Sequence, residues 1–546
     1  MKHLLPDLSH LTLAEQVAQL MVVRASGYLF DHQIRYPSWE PPAATLKHWL
    51  QDLGVGGVIL LGASAGELAL RTQELQDWAK IPLLLAADVE EGVGQRFSGA
   101  SWFPPPMALG AIAQRDLAKA KFYARQMGSF TAQEALAIGL NWVIAPVVNV
   151  PHNPHNPVMN VQAFSDHPQI VADLATAYIQ GAQQHRIITT AKHFPGHGDT
   201  VIESPLQLPE LPHPRHRLFQ VEIPPFQAAI AAQVDSIMSA HLRIPALDRI
   251  YPATLSDRIL TRLLRQDLGF EGLIVTDALV MGAIAHPYGP NEAAVLAIEA
   301  GADLLMMPAD PPGAIAALCD AVETGRIAAE RIQASLERIW RTKQKITTFG
   351  ADSALHPHAW EQQMPSPIDL EAIAQPQCLQ VIRDLLRDSN QCRGQISRSA
   401  QPGRTVIVVD SLLECDFLHP QAPAVAHLQS QGYEVQMIDA HGLDLELEQD
   451  RQAAWPTILQ LFVRGNSFCG SAGLQDSARH WFNQLLRRQC LEALVIYGSP
   501  DLLAEFFPQL PETLPYGFSY GQMPLAQQLV LEALLPPLAS HDLTGN

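Results

Sequence analysis

Short, almost continuously apolar runs recur along the first two-thirds of the chain, separated by longer segments with helical spacing. The runs lie at 21–26 (MVVRAS), 57–62 (GVILLG), 82–88 (PLLLAAD), 141–149 (NWVIAPVVN), 187–194 (IITTAKHF), 236–243 (SIMSAHLR), 272–277 (GLIVTD) and 303–308 (DLLMMP). A strand that is apolar on both faces is buried on both faces, as in a parallel sheet covered by helices. Helical periodicity marks 116–137, 170–184, 256–268 and 291–300 between them. At the start, Thr12 and Glu15 are placed as a capping box ahead of an apolar face of Leu13, Val17, Leu20 and Met21. Eight β-α repeats predict a (β/α)₈ TIM-type barrel. The alternative is an open doubly wound sheet, but no Gly-rich fingerprint follows the first strand.

The pattern breaks over 346–375, where ITTFGADSALHPHAWEQQMPSP holds no steady period and reads as a linker. Beyond it, strands at 404–410, 434–439 and 492–498 alternate with helices near 420–431, 477–491 and 522–535. The expected organisation is a barrel over 1–345, a linker over 346–375 and a smaller α/β sandwich over 376–546.

Composition narrows the class. Hydrophobic residues make up 47% and charged residues 17%, as in a globular protein rather than a disordered one. The net charge of −19 comes without a basic cluster, so no nucleic-acid partner is expected. The opening MKHLLPDLSHLTLAEQ has no long apolar stretch or small-residue cleavage site, and no apolar run reaches the roughly 18 residues that cross a bilayer. Six cysteines without a C-x-x-C pair read as reduced thiols. The expectation is a cytoplasmic protein with no membrane partner.

In a barrel, chemistry collects at the C-terminal strand ends. Here those ends carry Asp88, Asn149, Lys192 with His193, His241 with Arg243, and Asp277. Asp277 taken alone is as well explained as the cap of a helix beginning near Leu279, and His193 alone as a satisfied interior histidine. Their convergence on one face points instead to a polar mouth suited to a sugar or a phosphate. The most specific stretch is Lys192-His193-Phe194-Pro195-Gly196-His197-Gly198-Asp199-Thr200. A metal on His193, His197 and Asp199 is disfavoured, because a strand end and loop do not align them as a helical H-E-x-x-H does.

These motifs resemble the family 3 glycoside hydrolases, and among them the β-N-acetylglucosaminidase branch. ADVEEGVGQRF (87–97) is similar to the family's D-x-E-G-G-R-V-x-R stretch, and NPVMNVQAFSDHP (156–168) to its N-P-V loop. KHFPGHGDT (192–200) is similar to the branch signature, GFEGLIVTDALVMGAI (269–284) to the nucleophile strand, and AGADLLMMPAD (300–310) to the last strand. YGSPDLLAEFFP and YGFSYGQMPLAQQLVLEALL resemble the family's second domain more loosely. The resemblance implies exo-hydrolysis of terminal β-linked sugars with retention, through a covalent glycosyl-enzyme. It makes Asp277 the nucleophile and assigns Asp88, Lys192, His193 and His241 to the sugar pocket. It implies no metal or organic cofactor.

Three positions depart from the pattern. Glu203-Ser204-Pro205 stands where the branch has an Asp-Ser-His triplet whose histidine is the acid/base. Gln162 replaces the sugar-binding arginine of the N-P-V loop, and Val93 the arginine of the first motif. Either Glu203 is the acid/base, or the acid lies elsewhere, with Asp199 nearest, or turnover is lost. The leading expectation is an N-acetyl-β-D-glucosaminide hydrolase with catalytic Asp277 and Glu203 and with Asp88, Gln162, Lys192, His193 and His241 binding a small saccharide. A β-glucosidase and an inactive saccharide-binding protein are the alternatives, and a monomer is expected.

Overall fold

The computed structural model describes residues 5–151, 160–199, 208–346, 348–349, 363–364, 367–396, 402–412, 415–439, 455–464 and 472–535. The chain forms two compact units. The first draws on 1–103, 116–156 and 163–379, the second on 104–115, 157–162 and 380–546.

The first unit is the (β/α)₈ barrel that the apolar runs predict. Its strands are β1 (Met21–Ser26), β2 (Gly57–Leu61), β3 (Leu84–Ala87), β4 (Trp142–Val143), β5 (Ile188–Phe194), β6 (Ser236–Ser239), β7 (Leu273–Val275) and β8 (Leu305–Met306). All pair in parallel in the order β7-β6-β5-β4-β3-β2-β1-β8, and a bridge between Val275 and Leu304 closes the ring. Closure rests on Asp303, which is fully buried and accepts from Arg265 at 2.7 Å, Arg338 at 3.0 Å, Ser335 at 2.7 Å and the Ile274 N–H at 3.0 Å. A buried carboxylate needs that many donors to offset its lost hydration. Inside the barrel, the indole N–H of buried Trp142 donates to Thr190 at 2.7 Å, and Thr190 meets Ser236 at 2.7 Å. This polar rung satisfies groups that water cannot reach.

The capping box appears as expected: Thr12 accepts from the Glu15 N–H, and the Glu15 carboxylate accepts from the Thr12 N–H, over a helix Leu13–Ala18. The fourth strand is shorter than the run 141–149. Pro146 has no N–H to donate, so regular pairing stops, although Val148 still donates to the Lys192 carbonyl at 2.9 Å. Within the stretch read as a linker, β9 (Thr348–Phe349) and β10 (Gln363–Met364) pair antiparallel.

The second unit holds a six-stranded sheet of β11 (Gln391–Arg393), β12 (Gly403–Val409), β13 (Tyr433–Asp439), β14 (Thr457–Val463), β15 (Leu491–Gly498) and β16 (Tyr516–Ser519), ordered β11-β16-β15-β14-β12-β13. Only the β11–β16 pairing is antiparallel. Sequence patterning missed β14, whose run TILQLFV is broken by Gln460. That glutamine is buried and donates to Thr405 at 3.0 Å and the Ala424 carbonyl at 2.9 Å, so a polar residue occupies a core position.

Candidate active site

The C-terminal ends of β3, β5, β6 and β7 bring their polar residues together. Lys192, on β5, is 4% exposed, and its ammonium donates to Asp88 Oδ1 at 2.7 Å and Glu90 Oε1 at 2.6 Å. Burial works against the charges of Lys192 and Glu90, yet their attraction to opposite charges wins. Lys192 is raised above its ordinary value, and Glu90 is held down to about 2 by Lys192 and Arg96. The two carboxylates differ in exposure. Glu90 is 5% exposed and belongs to the interior, whereas Asp88 is 37% exposed and keeps an oxygen available to a ligand. Glu90 was not singled out in the sequence. It lies in the turn just past β3, where no strand period could mark it.

The next residue, His193, owes its tautomer to Asn149. Asn149 Oδ1 accepts from the backbone N–H of both His193 and His197, each at 3.1 Å, which fixes the orientation of the amide. Its NH₂ therefore faces His193 Nδ1 at 3.1 Å and donates to it. With Nδ1 an acceptor, the neutral imidazole carries its proton on Nε2 and offers a donor. Burial pushes the imidazole down to about 3, so it stays neutral across the working range. Two glycines permit the turn that follows. Gly196 has φ +128°, and a Cβ on Gly198 would meet the Val150 carbonyl oxygen at 1.8 Å.

His241 is the exception to the expected sugar contacts, because protein groups occupy both its ring nitrogens. Nδ1 meets Thr254 Oγ1 at 2.8 Å, and Nε2 lies 3.0 Å from the Ala278 carbonyl, to which it must donate. The histidine thereby clamps the backbone immediately after Asp277. Asp277 sits two residues past β7 and accepts from the Ala278 N–H at 2.7 Å. It does not cap a helix, since the next one begins at Gly282 with Met281 at its N-cap. Burial tends to raise its carboxyl, but His241, His193, the Ala278 N–H and Lys192 hold it below the ordinary carboxylate value.

Three further expectations fall elsewhere. Glu203 lies outside the described residues. Gln162 ends a short turn, Asn160–Gln162, that groups with the second unit. Asp199 accepts from Arg217 at 3.2 Å and pairs with His213 at 2.9 Å, which ties it to the entry of the helix Arg215–Val221. Asp199, His213 and Glu222 bring ligand atoms within 4.8 Å of one another. Arg217 donates to both carboxylates, at 3.2 Å to Asp199 and 2.9 Å to Glu222, so a guanidinium already supplies the charge that a cation would bring.

Comparison with known proteins places this arrangement. Residues 12–342 match the model for the Glycosyl hydrolase family 3 N terminal domain, and 396–536 that for the Bacterial Glycosyl hydrolase family 3 C-terminal domain. The chain is 34% identical over 382 residues to Beta-hexosaminidase A of Pseudoalteromonas piscicida, covering 63% of this chain and 63% of that protein's own length. It is 34% identical over 257 residues to a Beta-hexosaminidase of Alkalilimnicola ehrlichii, covering 46% of this chain and 73% of the relative. A family 3 β-N-acetylglucosaminidase from Paenibacillus sp. str. FPU-7 superposes with a TM-score of 0.76 at 28% identity, over 95% of this chain and 96% of that one. Barrel and second domain each match a family 3 model, in family order, and the polar strand ends lie within the first match: the chain belongs to glycosyl hydrolase family 3.

Proposed function

We propose that this chain is an exo-acting retaining β-glycosidase that removes terminal N-acetyl-β-D-glucosamine from a small saccharide. The observation that carries the reading is the state of Asp277. Its carboxylate is half-buried at the barrel mouth, held ionised by its neighbours and fixed in place by the His241–Ala278 clamp. A nucleophile must be charged, desolvated and positioned before substrate arrives, and Asp277 is all three. The similarity to proteins named for β-hexosaminidase and β-N-acetylglucosaminidase activity supports the sugar.

In this reading Asp277 attacks the anomeric carbon and forms a glycosyl ester, while an acid protonates the departing oxygen. The Lys192–Asp88 pair and the Nε2–H of His193 hold the hydroxyls of the terminal ring. We assign the acid/base to Glu203, which stands at the aspartate's place in the triplet that holds the branch's acid, two residues before Pro205 at the histidine's. The described residues support this by exclusion, because Asp199, the nearest competitor, is engaged by His213 and Arg217. Glu203 then draws the proton from the water that releases the sugar with retention. Initial rates on chromogenic β-N-acetylglucosaminide and β-glucoside, wild type beside Asp277→Asn, test the proposal. The expected result is preferred turnover of the amino sugar, reduced by several orders of magnitude in the variant. A folded Asp277→Asn chain that keeps most of its rate refutes the nucleophile.

A further inference from the structure

Asp303, two residues ahead of β8, lies at the N-terminal end of the barrel, opposite the strand ends that carry Asp277. Its surroundings hold more positive charge than one buried carboxylate requires. Arg265, Arg331 and Arg338 all pair with it, at 2.7, 3.5 and 3.0 Å. Ser335 and the Ile274 N–H donate to the same two oxygens, so the carboxylate's roughly four lone-pair sites are fully used. One guanidinium neutralises one carboxylate, and three against one leave two positive charges over. Among the described residues no second carboxylate pairs with any of the three. Glu299 is taken by Arg326, and Glu337 accepts from Gln333. Such an excess is unusual in a chain whose net charge is −19.

The arginines register it. Burial pushes Arg265 down to about 10, and Arg338 and Arg331 add to the shift although Asp303 opposes it. Arg331 is lowered too, by burial and by Arg338. The cluster is nevertheless open to solvent: Arg265, Arg331 and Arg338 are 17%, 23% and 25% exposed. Arg338, on the helix Ala329–Ile346, is the most exposed of them and engages Asp303 and the Ala334 carbonyl through Nη1 alone. Its Nε–Nη2 edge makes no hydrogen bond among the described residues. That edge can form two parallel bonds to an oxyanion, as the same edge of Arg326 does with the two oxygens of Glu299. Arg341 is exposed three residues further along the helix, which makes it a surface neighbour of Arg338.

We propose that this N-terminal face of the barrel is a phosphate-binding site, in which the Nε–Nη2 edge of Arg338 grips two phosphate oxygens while Arg331, Arg265 and Arg341 supply the balancing charge. A carboxylate would offset one of the two excess charges. A phosphate group, with about 1.5 to 2 negative charges near pH 7, offsets both. The site stands apart from the sugar chemistry at the other end of the barrel and does not depend on it.

The test uses the full chain and inorganic phosphate, at an ionic strength held constant with chloride. Calorimetry should show one saturable site per chain, and thermal melts a rise in Tm that saturates with it. Phosphate should leave initial rates on chromogenic β-N-acetylglucosaminide unchanged, and N-acetylglucosamine should not displace it. Arg338→Lys keeps a cation for Asp303 but loses the planar edge, and should weaken phosphate about ten-fold. Arg341→Gln, at an exposed position, should weaken it less and carries the test if the lysine variant does not fold. Glucose 6-phosphate beside the free ion tells which is preferred: tighter binding names a phosphate ester as the ligand, weaker binding the free ion. A stabilising salt excluded from the surface raises Tm equally in wild type and variants. An equal rise in all of them, or the absence of saturable heat, therefore overturns the site. Inhibition of turnover in step with binding, or displacement by N-acetylglucosamine, places the phosphate at the catalytic mouth and overturns it as well.

Discussion

Glu90→Gln keeps the shape of the side chain and removes one of the two charges that neutralise Lys192. The lysine lies at nearly equal distance from both carboxylates, 2.7 Å to Asp88 and 2.6 Å to Glu90. Glu90 is the drier partner, and a Coulomb attraction grows as the surrounding dielectric falls, so its contact is the stronger one. The depression of its carboxyl from 4.5 to about 2 corresponds to about 3 kcal/mol in favour of the charged form. That matches the lower end of the roughly 3–5 kcal/mol lost when one partner of a buried pair is removed. Because the folded value lies below the unfolded one, this stabilisation is complete above pH 4.5 and disappears as the pH falls towards 2. Urea denaturation should therefore find the variant about 3 kcal/mol less stable at pH 7, with the gap narrowing below pH 4.5. In the same variant Asp88 alone must neutralise Lys192 and is drawn away from the ligand. KM should then rise about ten-fold with a smaller change in kcat, the mark of a lost binding contact. Stability unchanged at pH 7, together with an unchanged KM, refutes the clamp.

If Glu203 is the acid/base, Glu203→Gln cripples hydrolysis of substrates with poor leaving groups and spares activated aryl glycosides. Azide then yields the glycosyl azide, and full activity on a natural disaccharide removes the assignment. His193 is held neutral down to about pH 3 against an ordinary 6.5, so the unfolded chain takes up a proton that the folded one refuses. Its contribution is complete above pH 6.5 and falls by about 2 kcal/mol at pH 5; His193→Asn should flatten that part of the stability profile, and an unaltered profile contradicts the reading. Lys343, 1% exposed, donates to the Gln19 side-chain oxygen at 2.8 Å and lies 5.5 Å from the centre of the Trp340 ring, with no carboxylate partner among the described residues, and burial pushes it down to about 7. The wild type should gain stability as the pH rises from 7 towards 10.5. Lys343→Met should stabilise the chain by about 2 kcal/mol at pH 7 after allowing for the orphaned Gln19 oxygen, and thermal melts that show destabilisation refute it.

Local pattern carried the barrel. Most strands from β1 to β8 are short apolar runs, with Thr190 of β5 and Ser236 of β6 as polar exceptions that pair inside the barrel. That pattern needs only the residues within the run, because a strand covered on both faces has little polar surface to keep wet. The polar strand ends were legible for the same reason: Asp88, Lys192, His193, His241 and Asp277 interrupt apolar runs where the chain leaves the sheet. What each of them does was decided in three dimensions. Glu90 and Asp88 are near neighbours of one type in the chain, and only the depth of packing around Lys192 makes one a buried counter-charge and the other a partly exposed carboxylate. Asn149 lies 44 residues from His193, yet it fixes which imidazole nitrogen holds the proton. His241 reads as a pocket residue until Thr254 and the Ala278 carbonyl claim both its nitrogens. Gln460 hid a core strand because burial of a polar group depends on partners in β12 and a neighbouring helix, not on its own hydropathy. Periodicity records which side of an element is dry, whereas protonation, pairing and access depend on groups brought together from distant parts of the chain, which only folding supplies.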